Sequence, residues 1–347
     1  MATAGMRRAD LFGLRTWIGL ALGLLVLVFA ARGTDLRQVW SVLGTIQPVF
    51  LLLAVAVTVV TPLAKAVRWR WLFYPQQVET GIVELSGVLV ISQAVNFLIP
   101  GRWGELVRTY LGGEETGVRK SYVLGTIAAE KLLELVMLAI LVAVLVPLVA
   151  LPERMTLRTT PVIVMAASVG LAIFVFLAGR KVWLALMQRS LSRLSPALAA
   201  RWEGRLSSLM DGLSVLSAGK PAPAIWGWTV ACWLIAALTN WFLLLAFGLP
   251  PSFLMAVFLL VVLQGGVALP STPGKIGVFQ YLCVVAMSIF GVPSAVSFSY
   301  GVVLYAIVVG TMGVMAALAL WRRSLSMRRL REAAAGLPEA LDRRAGT

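Results

Sequence analysis

The sequence predicts an all-α polytopic membrane protein: about six full spans plus two broken re-entrant hairpins, arranged as an inverted repeat. Three observations carry the prediction. The 347 residues are 60% hydrophobic, with a mean hydropathy of +0.91, against about 45–50% apolar residues in an ordinary globular chain. Several apolar runs reach the ~20 residues that a helix needs to cross a bilayer. Two further apolar regions are each cut near the middle by proline and glycine. Alternating strands of about ten residues are absent, which argues against a β-barrel.

The chain begins "MATAGMRRADLFGLRTWIGLALGLLVLVFAA". Its charge order is that of a signal peptide, but the apolar run continues past a typical h-region, so it reads as a retained first span over 16–31. The other full spans fall at 48–66, 121–150, 161–179, 225–248 and 293–321, and the broken regions at 81–112 and 252–291. Loop charge orients the set, because Lys and Arg gather on the cytoplasmic side. Arg7, Arg8 and Arg15 precede the first span, and Lys65, Arg68 and Arg70 close the second. The 180–220 loop holds seven basic residues against two acids, and the tail over 322–347 seven against three. All four regions are therefore expected in the cytoplasm, and both termini with them.

Parity then shapes the broken regions. A single crossing over 81–112 would put the basic 180–220 loop outside. A hairpin that enters from the cytoplasm and returns keeps every basic loop inside, and the same reasoning makes 252–291 a hairpin from the external face. Two short complete spans in each region satisfy parity equally. One transmembrane domain over 1–321 results, with inverted halves at about 48–150 and 225–321 and a basic tail over 322–347. The 180–220 loop carries two amphipathic stripes, Trp183, Leu184, Met187, Leu191 and Leu194, then Leu206, Leu209, Met210, Leu213 and Leu216. They are expected to lie on anionic headgroups.

The two breaks are "NFLIPGRWGELVR", Asn96 to Arg108, and "ALPSTPGKIGVFQYL", which contains Lys275. From Pro100 and from Pro270 both follow P-x-x-x-G-[EK]-[LI], at equivalent places in the two halves. Pro100, Gly101 and Gly104 break the first region; Pro270, Pro273, Gly274 and Gly277 break the second. Irregular backbone at membrane depth persists only where it is buried in protein or lines a wet cavity, since each unpaired N–H or C=O in hydrocarbon costs several kcal/mol. The breaks also free N–H groups at the start of the next half-helix, where an anion can sit. Inverted repeats with broken helices meeting near the midplane are how many secondary transporters build a substrate site.

Charge surrounds the breaks. Arg102, Glu105 and Arg108 stand three apart and can share a helix face. They read either as a charge-balanced helix end or as a forked phosphate clamp positioned by Glu105. Glu130, Lys131 and Glu134 lie inside the long span 121–150, where an ionisable side chain costs about 2.5–3.5 kcal/mol and needs partners or water. They read as a salt-bridge cluster with Arg102 or Arg108, as cavity lining, or as both. Lys275 is the single Lys or Arg between Lys220 and Arg322, either snorkelling to the interface or bringing positive charge to the same cavity. Of the apolar-region amides, Asn240 and Gln280 read as interhelical glue, while Gln93, Asn96 and Gln264 occupy the helices entering the breaks and join the candidate substrate site.

The net charge of +15 fits positive-inside loops on anionic lipid better than a nucleic-acid partner. Histidine is absent, which removes His-based relays and the commonest zinc ligand. Cys232 and Cys283 sit inside apolar runs and read as packing residues. No cofactor or metal is expected, and no constellation for catalysis is present.

With these residues assembled, the chain resembles the transmembrane region of lysylphosphatidylglycerol synthases, a flippase-like integral membrane family that also occurs alone (YbhN-like). The likeness covers roughly 10–325. It rests on Asn96, Pro100, Gly101, Arg102, Gly104, Glu105 and Arg108, on "GTIAAEKLLE" and on "PSTPGKIGVFQ". Where the family reads E-R-x-x-D, Glu130, Lys131 and Glu134 keep every charge sign. Where it reads P-x-x-P-G-G-[IL]-G and then a glutamate, Lys275 replaces the second glycine and Gln280 stands near the glutamate, which points to an anion-binding lysine. The resemblance implies movement of a phosphate-bearing lipid between leaflets of the bacterial inner membrane, with membrane phospholipid as partner. Synthase activity is not expected, because the transferring part of the family is a separate soluble domain. A membrane-embedded transferase using a lipid-linked substrate, or a partner of a separately encoded lipid-modifying enzyme, are the alternatives.

Overall fold

A computed structural model describes residues 36–98, 103–149, 207–217, 219–268 and 273–323, with single positions at 179 and 204. The expected span 16–31, nearly all of 161–179, the first amphipathic stripe and the tail from 324 onward lie outside the described residues. Everything regular among the described residues is helical. Helix α1 is Leu36–Gly44, α2 Pro48–Leu72, α3 Ile82–Leu98, α4 Trp103–Thr116 and α5 Lys120–Leu148; then follow α6 Ala222–Ala246, α7 Phe253–Ala268, α8 Val278–Ser288 and α9 Ser294–Arg322.

Helices α2, α5, α6 and α9 have 25, 29, 25 and 29 residues and are apolar enough to cross a membrane. At a rise of 1.5 Å they reach about 37–44 Å, enough for the ~30 Å hydrocarbon core with tilt. They coincide with four of the expected spans, with one informative difference. Helix α2 runs six residues past the expected end at 66, through Arg68 to Leu72. The stretch "VRWRWL" holds no breaker, and Arg68 finds its partners inside the protein.

Both broken regions fold as helix pairs. Thr80 Oγ1 donates to the Glu115 carbonyl at 3.0 Å, so the α3–α4 pair returns to the side from which it started. Arg323, at the end of α9, spans the same mouth: it donates to the Glu84 carbonyl at 3.0 Å and pairs with Glu115 at 2.7 Å. The rings of Phe258 and Phe290 lie 5.5 Å apart at the open end of the α7–α8 pair.

Helices α2 and α6 pack antiparallel, since the Gln47 N–H donates to the Ala246 carbonyl at 2.9 Å and the hydroxyls of Thr58 and Thr239 are 3.4 Å apart. Two cores occupy opposite ends of this pair. One gathers Trp69 and Leu72 of α2 with the α3–α4 hairpin, Tyr122 of α5, Ile225 of α6 and Ala316 of α9. The other gathers Ala54 of α2 with Leu243 of α6, the α7–α8 hairpin and Tyr300 of α9. Tyr300 adds a polar tie by donating to Asn240 Oδ1 at 3.0 Å, so Asn240 joins α6 to α9 as expected of interhelical glue.

The second amphipathic stripe does not lie simply on headgroups. Leu213 is buried, and Leu209, Met210 and Leu216 pack against the first core; Leu206 lies outside the described residues. Two glycines permit this approach. A Cβ on Gly125 would overlap the Leu209 carbonyl oxygen, and one on Gly212 would stand 2.5 Å from the Tyr122 carbonyl oxygen. Gly125→Leu is therefore expected to lift 207–217 from α5, read as a large gain in proteolytic cleavage of that segment in detergent. Unchanged protection would show that the contact contributes little.

Candidate functional site

At the first break the polypeptide leaves α3 after Leu98 and resumes helix at Trp103. Asn96 Oδ1 accepts the Gly104 N–H at 2.7 Å, so an α3 side chain caps the free donors at the start of α4. Gly104 is there for closeness: a Cβ would overlap the Ser92 carbonyl oxygen and stand 2.5 Å from Asn96 Cγ. At the second break Pro273–Lys275 form a 3₁₀ turn with Gly274 at φ 69°, Lys275 at φ 59° and Gly277 at φ 83°. The Gln280 carboxamide accepts the Gly277 N–H at 2.8 Å, closing half of a capping box, and Tyr305 OH donates to the Gly274 carbonyl at 2.7 Å. Gln280 is thus a cap and not the interhelical glue expected. Gly274 and Gly277 sit where the second break was predicted and Pro273 lies in its turn; Gly104, expected in the first break, lies instead in the first turn of α4; Pro100, Gly101 and Pro270 fall outside the described residues.

The two breaks adjoin. Lys275 Nζ stands 5.3 Å from the centre of the Phe97 ring, one residue from the Asn96 that caps α4. A lysine over an aromatic face gains from the ring quadrupole. Residues 221–321 contain no Asp or Glu, so Lys275 gives the second half its one formal charge.

The remaining charges form a buried network. Glu130 Oε1 meets Arg68 Nη2 at 3.0 Å and its Oε2 meets Arg108 Nη2 at 2.6 Å. Glu134 takes Arg68 on one oxygen at 3.2 Å and Lys131 Nζ on the other at 3.1 Å. Arg68, Arg108 and Glu130 are 1%, 5% and 3% exposed, so these pairs are held at low dielectric, where removing one partner is far more damaging than the pair is stabilising. Arg108 also lies over Trp69, 4.1 Å from Cζ to ring centre, and Trp69 Nε1 donates to Thr126 Oγ1 at 3.0 Å. That stack fixes the plane of the guanidinium.

Four expected headgroup ligands, Arg108, Glu130, Lys131 and Glu134, are therefore brought together, but onto one another. Of the two readings for Glu130, the salt bridge to Arg108 is present, and Glu105, read as positioning the arginines, makes no hydrogen bond to Arg108 among the described residues. Glu130 and Trp69 draw Arg108 across to α5 and α2, and Glu105 Oε2 is buried without a hydrogen-bond partner among the described residues. Arg102 lies outside the described residues. Gln93 is half-buried in α3 and Gln264 is exposed on α7, each on a helix that enters a break. Among the described residues, no group of three or more His, Cys, Asp or Glu side chains can hold a metal ion.

Arg68 is the residue that sequence reasoning passed over, because it was counted with the basic residues closing a span. A signal was available: it stands three residues after Lys65 with no helix breaker before Pro75, hence one turn inside the helix end.

Comparison with known proteins places these residues in context. A family model described as "Lysylphosphatidylglycerol synthase TM region" matches residues 16–313. The protein named "Glycosyltransferase AglD" from Haloferax volcanii is 26% identical over 299 residues, covering 78% of this chain and 48% of that relative. The chain thus spans about half the length of the curated relative it matches. No solved structure matches.

Proposed function

The chain belongs to the lysylphosphatidylglycerol synthase transmembrane-region family, and from that membership and the chemistry of the two breaks we propose that it moves a phosphate-bearing lipid, phospholipid or aminoacyl-phospholipid, between the leaflets of a bacterial inner membrane. The observation that carries the reading is the meeting of the breaks, with Lys275 over Phe97. On this reading the hairpins are re-entrant from opposite faces and their capped tips border a wet cavity, the setting in which broken backbone is tolerated. The headgroup phosphate sits at Lys275 and the α4 start, with Gln93, Asn96, Glu105 and Gln264 around it.

The pattern of helix contacts supports reading the two halves as an inverted repeat. Exchanging α2 with α6, α3–α4 with α7–α8, and α5 with α9 maps neighbours onto neighbours. Helix α3 packs on α9 as α7 packs on α5, and α2 touches α9 as α6 touches α5. Rocking of such halves about a central site exposes it to one side and then the other.

Lys275 provides the test, because its left-handed backbone conformation is one that L-residues enter at a cost of about 1–2 kcal/mol. Lys275→Gly relieves that strain while removing the charge. In liposomes carrying a fluorescent phosphatidylglycerol, reduction by dithionite should report transport by the parent and, for Lys275→Gly and Lys275→Ala, a rate at least about tenfold lower, the loss expected for one charge-assisted contact. Lys275→Gly should melt no lower than the parent. Parent protein no faster than empty liposomes sinks transport; equal rates in parent and variants sink the role of Lys275.

The name of the Haloferax volcanii relative favours a second reading, in which the membrane domain serves a transferase that uses a lipid-linked substrate. Product formed by the purified chain from a lipid-phosphate donor would establish it as an enzyme in its own right.

A further inference from the structure

The two hairpin mouths, exchanged by the repeat, are closed by different chemistry. At the α3–α4 mouth Arg323, just past α9, places one nitrogen, Nη2, on Glu115 Oε2 at 2.7 Å and on the Glu84 carbonyl at 3.0 Å. Glu84 lies in the first turn of α3 and Glu115 in the last turn of α4, so one side chain grips both legs of the hairpin. Helix α9 lies close against it: a Cβ on Gly87 would stand 3.4 Å from Ala319 Cβ. The α7–α8 mouth offers no charge for such a grip. Residues 250–262 and 284–294 contain no Asp, Glu, Lys or Arg, and Leu145 near the end of α5 shares one apolar cluster with Leu254 and Val257 of α7.

Exposure separates this ion pair from the network deeper in the protein. The side chains of Arg323 and Glu115 are 17% and 26% exposed, against 1% and 6% for Arg68 and Arg108. A half-dehydrated pair is stronger than a surface pair, yet dissolved salt still reaches and screens it. Apolar contacts are not weakened by screening. Helix α9 also connects this grip to the breaks. Tyr305, which donates to the Gly274 carbonyl, stands 18 residues before Arg323, about 27 Å along the same helix. One helix therefore bears on the mouth at its end and on the turn that holds Lys275 farther in.

We propose that Arg323, Glu115 and the Glu84 carbonyl form an ionic latch that holds the α3–α4 mouth shut on α9, and that releasing it opens this mouth while the apolar α7–α8 mouth stays closed. Its bearing on lipid movement rests on the transport reading above, but opening is measured without transport. Two reporters are made separately in the full chain, in nanodiscs of phosphatidylcholine and phosphatidylglycerol. Ala316→Cys is buried on α9 in the core that holds the α3–α4 hairpin, and Ala256→Cys is buried near the start of α7. Their labelling by a charged, water-soluble maleimide, counted above that of the parent with its buried Cys232 and Cys283, follows the open population. Glu115→Gln and Arg323→Gln should each speed labelling at Ala316→Cys about tenfold, the loss expected for one charge-assisted hydrogen bond. Neither should change labelling at Ala256→Cys. The double replacement should label no faster than Arg323→Gln alone, because both remove the same contact. Raising salt from about 0.1 M to about 1 M shortens the screening length from about 10 Å to about 3 Å. That should speed labelling of the Ala316→Cys reporter several-fold with the latch intact and leave it unchanged in the double variant. Labelling at Ala316→Cys that ignores both the replacements and salt overturns the latch; so does an equal rise at both reporters, which marks general loosening. A mouth that answers to the latch in a parent that moves no lipid in liposomes keeps the latch and sinks the transport reading; transport with an unresponsive mouth does the reverse.

Discussion

Glu130→Gln is expected to lower stability more than any other single replacement in the protein. Glu130 is the shared counter-ion of Arg68 and Arg108, and both guanidinium groups are buried. Without it Arg108 loses its carboxylate partner in a low-dielectric interior while Arg68 keeps only Glu134, and breaking a buried pair in this way costs about 3–5 kcal/mol. The comparison to make is thermal unfolding of parent and variant in the same detergent, read by intrinsic fluorescence and by recovery of monodisperse protein. Glu130→Gln should melt far below the parent or fail to accumulate. The double replacement Glu130→Gln with Arg108→Gln removes the stranded charge and should recover part of the loss, since contacting residues are coupled and not additive. A Glu130→Gln melt indistinguishable from the parent would mean that water reaches the network and screens it.

Gly104→Ala is expected to have the next largest effect, by a different mechanism. The added methyl has to enter space held by the Ser92 carbonyl and the Asn96 side chain, and neither is the loose end of a long side chain. The hairpin must open, and opening breaks the Asn96 cap on α4. Overpacking of this kind costs about 1–3 kcal/mol, and loss of the cap about 1 kcal/mol more. Because the strain falls at the tip that adjoins Lys275, lipid translocation should fall by at least about tenfold, the rate equivalent of 1.4 kcal/mol. Asn96→Ala, which removes the cap without adding bulk, should fall in between. If Gly104→Ala translocates lipid at the parental rate, the close approach of α3 and α4 is not needed for function.

Much of the fold was legible because a bilayer leaves a helix few choices. The runs behind α2, α5, α6 and α9 had to be helices of membrane length, and Gly274 and Gly277, both at positive φ, mark the interruption between α7 and α8. Asn96 and Gly104 stood eight apart in the sequence with nothing to say that one would cap the other. Gln280 was legible as an amide among apolar residues, but its use as a cap depends on Gly277 taking a positive φ three residues earlier.

Composition and spacing by themselves determined that this chain is a helical membrane protein, roughly where four helices of membrane length lie, and that charge is concentrated at two breaks and in one long helix. They did so because hydrophobicity, helix breaking and insertion cost are local properties of a segment. Only the tertiary structure decided which charges meet. Arg68 looked like a cytoplasmic loop residue and instead joins Glu130 and Glu134 across a helix interface. Glu105 stood in register with Arg108 yet lost it to Glu130. Pairing of this kind is set by helices 20 to 70 residues apart in the sequence packing side by side, and no local pattern records which face each one turns inward.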